Sequence, residues 1–264
     1  MALGVVTAVL LLIGFYTITT PAHLENSLLL DGGDWTGYAV CHRITERSFT
    51  IDGRQFPLCA RCTGMYLGAS LVFLVMWLAG RLRRSLLPPF PILLALFGFI
   101  GLMGLDGINS YLHFFPNAPT LYAPRNWLRL LTGLGTGLTM GLITVPALAQ
   151  ILWRDPDWQP SAGTWRDLAE LLALAGVAAL LLLSNQPAIL YVLALASTAG
   201  LLLIVMALNT VMILIILRRD GRMVRWRETA VPLATGLILS IIELSAISLV
   251  RYYFTGTMTG FPGL

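Results

Sequence analysis

All three cysteines of the 264-residue chain, and one of its three histidines, fall within the stretch CHRITERSFTIDGRQFPLCARCTG, residues 41–64. Cys59 and Cys62 form C-x-x-C, with Pro57 ahead of them and Gly64 and an apolar run behind. Proline disfavours helix in the residue before it, so the motif straddles the start of a helix. A thiol there feels the positive end of the helix dipole, and Arg61 stands between the pair; both favour thiolate over thiol. Thiolate serves a metal and a redox nucleophile alike. Cys41 and His42 complete the inventory of a tetrahedral zinc site with three cysteines and one histidine. Residues 43–58 leave ample chain for the two pairs to converge. Neighbours in an extended strand point to opposite sides, so Cys41 and His42 share one metal only from a turn or a helix start. Three uses stay open: a metal clamp, a redox C-x-x-C exchanging with Cys41, or structural cysteines with one disulfide and a free thiol.

The intervening loop reads as folded. Phe49, Ile51 and Phe56 alternate with polar neighbours around Asp52-Gly53, so SFTIDGRQF predicts a small hairpin. A lone hairpin is marginal in water, and a metal would supply the missing stability.

A second polar group is spread along the chain. Asp106 and Asn109 close one apolar run, and Asn126 and Arg129 open the next. A carboxylate at that depth needs a partner, and Arg125 or Arg129 is the nearest in sequence. With Arg61, these residues would line a polar pocket for an anionic headgroup or a quinone-like carbonyl; as cofactor-binding candidates they are Arg61, Asp106, Asn109, Asn126 and Arg129. Glu243 sits mid-span with Ser240 and Ser248 on one broad face, and Asn209 is its candidate neighbour. His23 and His113 read as interface residues, or as a fourth ligand if Cys41 and His42 do not both reach the metal. Glu46 or Asp52 would be the general base if the metal were hydrolytic.

The elements that hold these groups are membrane helices. The chain is 57% apolar and 11% charged, where a soluble domain carries about a quarter charged residues. Its mean hydropathy is +0.79. All seventeen basic side chains are arginine. This composition predicts an all-α polytopic membrane protein with about seven spans. The first is ALGVVTAVLLLIGFYTI, read as retained because it lacks a basic leader and a small-x-small cleavage site. The others are residues 64–79, 87–105, 128–148, 168–183, 189–217 and 230–250. SNQP, residues 184–187, marks either a turn or a re-entrant hairpin.

The expected organisation is a first span at 1–20, an outer loop with the cysteines at 21–62, helices two to four at 63–150, and helices five to seven at 151–264. The compact loops RLRR and RRDGRMVRWR read as cytoplasmic. The cysteine loop and the C-terminus then face outward, in a prokaryotic inner membrane. Gly133, Gly137 and Gly141 recur on one helix face and permit close helix contact. Nothing reads as a nucleic-acid module, and the chain lacks G-x-S-x-G, H-E-x-x-H, P-loop, Rossmann and C-x-x-C-H motifs.

The residues CH, then RSF, then GRQFPLCARCTGMYLG resemble the DUF2085 family of predicted prokaryotic membrane proteins. Carried over, its signature residues are Cys41, His42, Arg47, Ser48, Phe49, Gly53, Pro57, Cys59, Arg61, Cys62, Gly64, Tyr66 and Gly68. The DG pair at Asp106-Gly107 and the RLLTG stretch from Arg129 to Gly133 also look like that family. The resemblance covers roughly residues 38–137 and implies that the cysteine loop and the Asp106/Arg129 region form one module. The expected role is a membrane scaffold or accessory subunit, with zinc in its outer loop, packing against lipid, pigment or other membrane subunits. The alternatives are a thiol-disulfide oxidoreductase using Cys59 and Cys62 with a quinone, and a metal-dependent lipid-processing enzyme.

Overall fold

The structure, a computed structural model, describes residues 27–115, 118–258 and 260. The first expected span and His23 lie outside the described residues. Among the described residues, seven helices and two small two-stranded ribbons follow one another: α1 (Leu28–Val40), a 3-10 turn (Thr45–Arg47), β1 (Ser48–Ile51), β2 (Arg54–Cys59), α2 (Ala60–Leu78), β3 (Arg84–Leu86), α3 (Phe90–Leu112), α4 (Asn126–Leu152), β4 (Asp157–Pro160), α5 (Trp165–Leu183), α6 (Pro187–Ile216) and α7 (Trp226–Thr255).

Five of these helices, α2, α3, α4, α6 and α7, are long and apolar enough to cross a membrane. Six of the seven expected spans fall among the described residues, and five of those six are candidate spans. The run at 168–183 falls in α5, whose first turns carry Arg166, Asp167 and Glu170. Its uninterrupted apolar part begins only at Leu171, too short for the roughly 20 residues a crossing takes. SNQP is the turn from α5 into α6, with Asn185 left-handed at φ 56. The five spans extend past the apolar runs that announce them. Asp106 and Asn109 therefore sit inside α3, which continues to Leu112.

The bundle is built around the crossing of α2 and α4. Gly64 and Gly68 face Gly133 and Gly137, and a Cβ on any of the four would collide with opposing backbone. Gly141 likewise seats Val72, and Gly200 of α6 lies against the Tyr66 carbonyl. This is small-residue packing, in which removing side chains lets helix axes approach where lipid supplies no hydrophobic drive. Leu67, Val72, Leu130, Leu134, Leu138 and Leu142 fill the space around the glycine seam.

The two ends of the bundle differ. At one end lie α1, the β1–β2 hairpin and the C-terminus of α7, where Gly260 N–H donates to the Arg43 carbonyl at 3.0 Å. At the other end β3 pairs in parallel with β4, and Trp153 bridges to Met223. The two arginine-rich loops gather at this second end, tied by Arg81–Asp167 at 3.1 Å and by Gly221 N–H to the Ile151 carbonyl at 2.8 Å.

Helix α1 occupies a stretch that reads as loop, because LLLDGGDWTGYAV has glycines and acids through its middle. Tertiary contact overrides that weak propensity. Gly33 and Gly37 leave room for Pro57 of β2, and a Cβ on Gly37 would strike the Pro57 carbonyl. Ser27 caps the helix by accepting the Leu30 N–H at 3.4 Å. Asp34 then holds two arginines of the loop, Arg43 at 2.7 Å and Arg54 at 2.6 Å.

Candidate metal centre

The first ligand position closes α1. Cys41 is the C-cap residue in extended conformation, its N–H donating to the Gly37 carbonyl at 2.9 Å. The chain then reverses at Arg43, which is left-handed at φ 48 and buried. Gln55 fastens the reversal, donating to the Arg43 carbonyl at 2.9 Å and to Ser48 Oγ at 3.0 Å. The expected hairpin is present, with Asp52 and Gly53 both at positive φ (47 and 87), the geometry of a type I′ turn. Strand β2 delivers Cys59 as its last residue, which is also the N-cap of α2, and Cys62 follows in the first turn.

The three sulfurs lie within 4.8 Å of one another. In a tetrahedral zinc site with Zn–S near 2.3 Å, sulfurs stand about 3.8 Å apart, so a contraction of about an ångström or less closes the set. Cys41 and Cys59 are 2% and 3% exposed, and Leu58, Leu201 and Leu244 pack around them. No disulfide joins the described cysteines. The Cys59 N–H donates to Cys41 Sγ at 3.2 Å, a bond that a thiolate accepts better than a thiol. Hydrogen bonds from the Cys59 and Cys62 side chains and from His42 hold the Cys41 thiol well below its ordinary pKa, against the opposing effect of burial. The same sharing with Cys41, with burial added, pushes Cys59 up to about 12. The cluster thus favours the thiolate at Cys41, the form that a metal takes.

His42 stands outside this group: of the expected three cysteines and a histidine, the structure brings together the three cysteines. Its Nδ1 meets only Cys41 Sγ, at 3.6 Å. Glu46 and Asp52 are both exposed and do not belong to the cluster. Asp52, at the hairpin tip, is on the order of 20 Å along β2 from Cys59. Arg251, near the end of α7, is not among the expected site residues. It donates to the backbone carbonyls of Tyr38, Cys41 and His42 and lies 4.1 Å over the Tyr38 ring. Its one sequence signal is a lone arginine closing a long apolar span.

The second polar group assembles beside the thiols. Asp106, 1% exposed, pairs with Arg61 rather than with Arg125 or Arg129. The reason is reach across the α2–α3 gap: Arg129 instead donates to Asn126 Oδ1 at 2.8 Å. Tyr122 O–H donates to Asp106 Oδ1 at 2.8 Å. Asn109 folds the α3–α4 connection, donating to the Tyr122 carbonyl at 2.9 Å and accepting the Leu121 N–H at 2.8 Å. Asn126 ties that connection to the hairpin through the Glu46 carbonyl at 3.1 Å. Ser110 and Tyr122 were missed in the sequence, since neither has a spacing that marks it. His113 Nδ1 lies 2.9 Å from the Asn109 carbonyl, and His113 is not in the sulfur group. Far from these groups, Asn209 does meet Glu243, at 3.1 Å, and Ser240 at 3.0 Å.

Burial and the bond to Asp106 push the Tyr122 phenol up to about 12, from an ordinary value near 10. A folded-state pKa above the unfolded one favours the neutral phenol. Its stabilising contribution is complete below about pH 10 and is lost as pH rises through about 12. The tyrosinate absorbance titration of wild type minus Tyr122→Phe should therefore have its midpoint near 12. A midpoint near the ordinary value of about 10 would contradict the Tyr122–Asp106 bond.

The match to known proteins falls on this half of the chain. The family model described as "Predicted membrane protein (DUF2085)" matches residues 41–143, which hold all three cysteines and every member of the second polar group. An uncharacterised protein of Methanothermobacter thermautotrophicus is 40% identical over 86 residues, covering 30% of this chain and 76% of that protein. An uncharacterised protein of Methanocaldococcus jannaschii is 26% identical over 116 residues, covering 44% of this chain and 67% of the relative. No solved structure matches.

Proposed function

The chain belongs to the DUF2085 family, and from that premise we propose that it is a membrane scaffold or accessory subunit whose hairpin cap is clamped by a zinc ion on Cys41, Cys59 and Cys62. One observation carries this reading: three sulfurs from two chain segments converge within 4.8 Å, and one of them already accepts a backbone N–H. Soft thiolates select zinc, copper(I) or iron–sulfur chemistry over hard cations. An apolar sheath around buried sulfurs suits a closed structural site better than a catalytic one, which keeps a position open to solvent.

His42 stands outside the sulfur group and is the proposed source of a fourth ligand. Its 3.6 Å approach to Cys41 Sγ is close to the S···N separation of about 3.6 Å that two ligands of one tetrahedral zinc require. The ring has to turn toward Cys59 and Cys62 to complete the set. The arginine-rich loops gather at the end opposite the cysteines, so the cap faces outward from a prokaryotic cytoplasmic membrane. The C-terminus of α7 lies on the cap side, and lipid and neighbouring membrane subunits cover the exposed apolar faces of α3 and α7.

Cobalt substitution tests the ligand set. The purified protein should take up cobalt(II) with intense visible bands of tetrahedral geometry and strong near-ultraviolet thiolate charge transfer. His42→Ala should keep the charge transfer and shift the visible bands, since water or another donor replaces the imidazole. Spectra identical to wild type would remove His42 from the site. Octahedral spectra without charge transfer would remove the thiolates.

A further inference from the structure

Beside the thiols, three guanidinium groups from three elements meet at one residue. Arg47, from the turn before β1, donates to the Ser110 carbonyl at 3.2 Å. Arg61 of α2 and Arg129 of α4 reach Ser110 Oγ at 3.3 and 3.5 Å. Among the described residues Asp106 is the one carboxylate paired within this group, so three cations against one anion leave a net charge of +2. Glu46, the other acid near Arg47, is exposed. Burial, and then the Arg61 cation, push the Arg47 guanidinium down from its ordinary value.

An ion-pair network that served only packing would balance its charges, because buried like charges repel at close range. This one does not, and it keeps donors in reserve. The Nε groups of Arg61 and Arg129 are buried without an acceptor among the described residues, and Arg129 is 6% exposed. The cysteine cluster is the other negative charge in reach. Zinc with three thiolates and one imidazole carries about −1 overall, which still leaves a cationic excess. Forked guanidinium donors with a positive surplus match a phosphate, whose oxygens accept several charge-assisted hydrogen bonds at once.

The second observation is an apolar groove whose polar end includes Asp106, the ion-pair partner of Arg61. Phe99, Leu102, Leu105, Leu128 and Leu131 of α3 and α4 line it, and Asp106 and Tyr122 close its polar end. A ligand filling both parts has an anionic head and an apolar tail. We infer that Arg47, Arg61 and Arg129 bind the phosphate of a membrane phospholipid whose acyl chain lies in the α3–α4 groove. This site does not depend on the metal reading.

The test uses the full chain in neutral detergent, titrated with short-chain phosphatidic acid, short-chain phosphatidylcholine and inorganic phosphate. Binding is read by native mass spectrometry and zinc content by elemental analysis on the same samples. Wild type should bind phosphatidic acid saturably and more tightly than either comparator. Arg47→Gln, on the cap rather than in a span, should weaken that binding by roughly tenfold or more while retaining the metal. Should that variant lose its fold, Arg47→Lys serves instead: intermediate affinity supports the site, and wild-type affinity overturns it. The inference is also overturned by equal binding in Arg47→Gln, by no saturable binding, or by inorganic phosphate binding as tightly as the lipid.

Discussion

Cys59→Ser protein is expected to lose its metal and the order of its hairpin together, while its helices persist. The substitution is unusually clean. Cys59 is the N-cap of α2, and serine is among the best N-cap residues, so the helix start gains rather than suffers. The changes are one sulfur and the clamp it closes. Removing the partner of a metal ligand costs roughly 10–100-fold in affinity, and removing a ligand itself should exceed the upper end of that range. The hairpin then has Asp34 bridging Arg43 and Arg54, and the burial of Phe56, to hold it. A two-stranded hairpin is marginal without further support. Trypsin should accordingly cut the variant at Arg47 and Arg54 far faster than wild type, with unchanged far-ultraviolet helix signal. Slow cleavage equal to wild type would mean that the cap stands without a metal.

The second large effect lies at the α2–α4 seam. Gly133→Ala should destabilise by about 1–3 kcal/mol or more, the scale of forcing a methyl group into packed space. Here the obstruction is the Arg61 carbonyl, with the Met65 N–H beside it, and backbone yields less readily than a side chain. Arg61 stands between Cys59 and Cys62, so pushing it moves the ligands; Gly133→Ala should lower metal retention as well as thermal stability. Gly137→Ala strikes the Met65 carbonyl one turn deeper and should affect stability alone. Gly98→Ala and Gly104→Ala on α3 are the controls, since a Cβ at either meets nothing within 4 Å. These should be neutral or stabilise by about 0.5–1 kcal/mol, through the helix propensity of alanine. Equal effects at Gly133 and Gly98 would dismiss the seam.

What the sequence disclosed follows from how local each signal is. The hairpin was legible because Asp52-Gly53 demands positive φ at two successive residues, and few structures other than a type I′ turn use it. The convergence of Cys41 with Cys59 and Cys62 was legible from ligand chemistry, and the glycine seam from a four-residue period. Helix α1 was not, because its glycines weaken the helix and matter only through their contact with Pro57, which no local pattern reveals. The Asp106 partner was misassigned to the nearest arginines in sequence, whereas Arg61 reaches it from another helix. His42 was grouped with the cysteines by composition; in the structure it approaches Cys41 Sγ at 3.6 Å but stands outside the group of three sulfurs. Charge placement likewise separated α5 from the other long helices: its apolar residues suggested a span, while Arg166, Asp167 and Glu170 shorten the run.

The central claim, a metal held by Cys41, Cys59 and Cys62, is tested most directly by elemental analysis of the detergent-purified protein, with thiols counted before and after chelation. The account predicts about one zinc per chain, and thiols that stay silent until the metal is stripped. A metal-free protein whose thiols become countable only after a reductant is added would contradict it, and would assign the cysteines to disulfide chemistry instead.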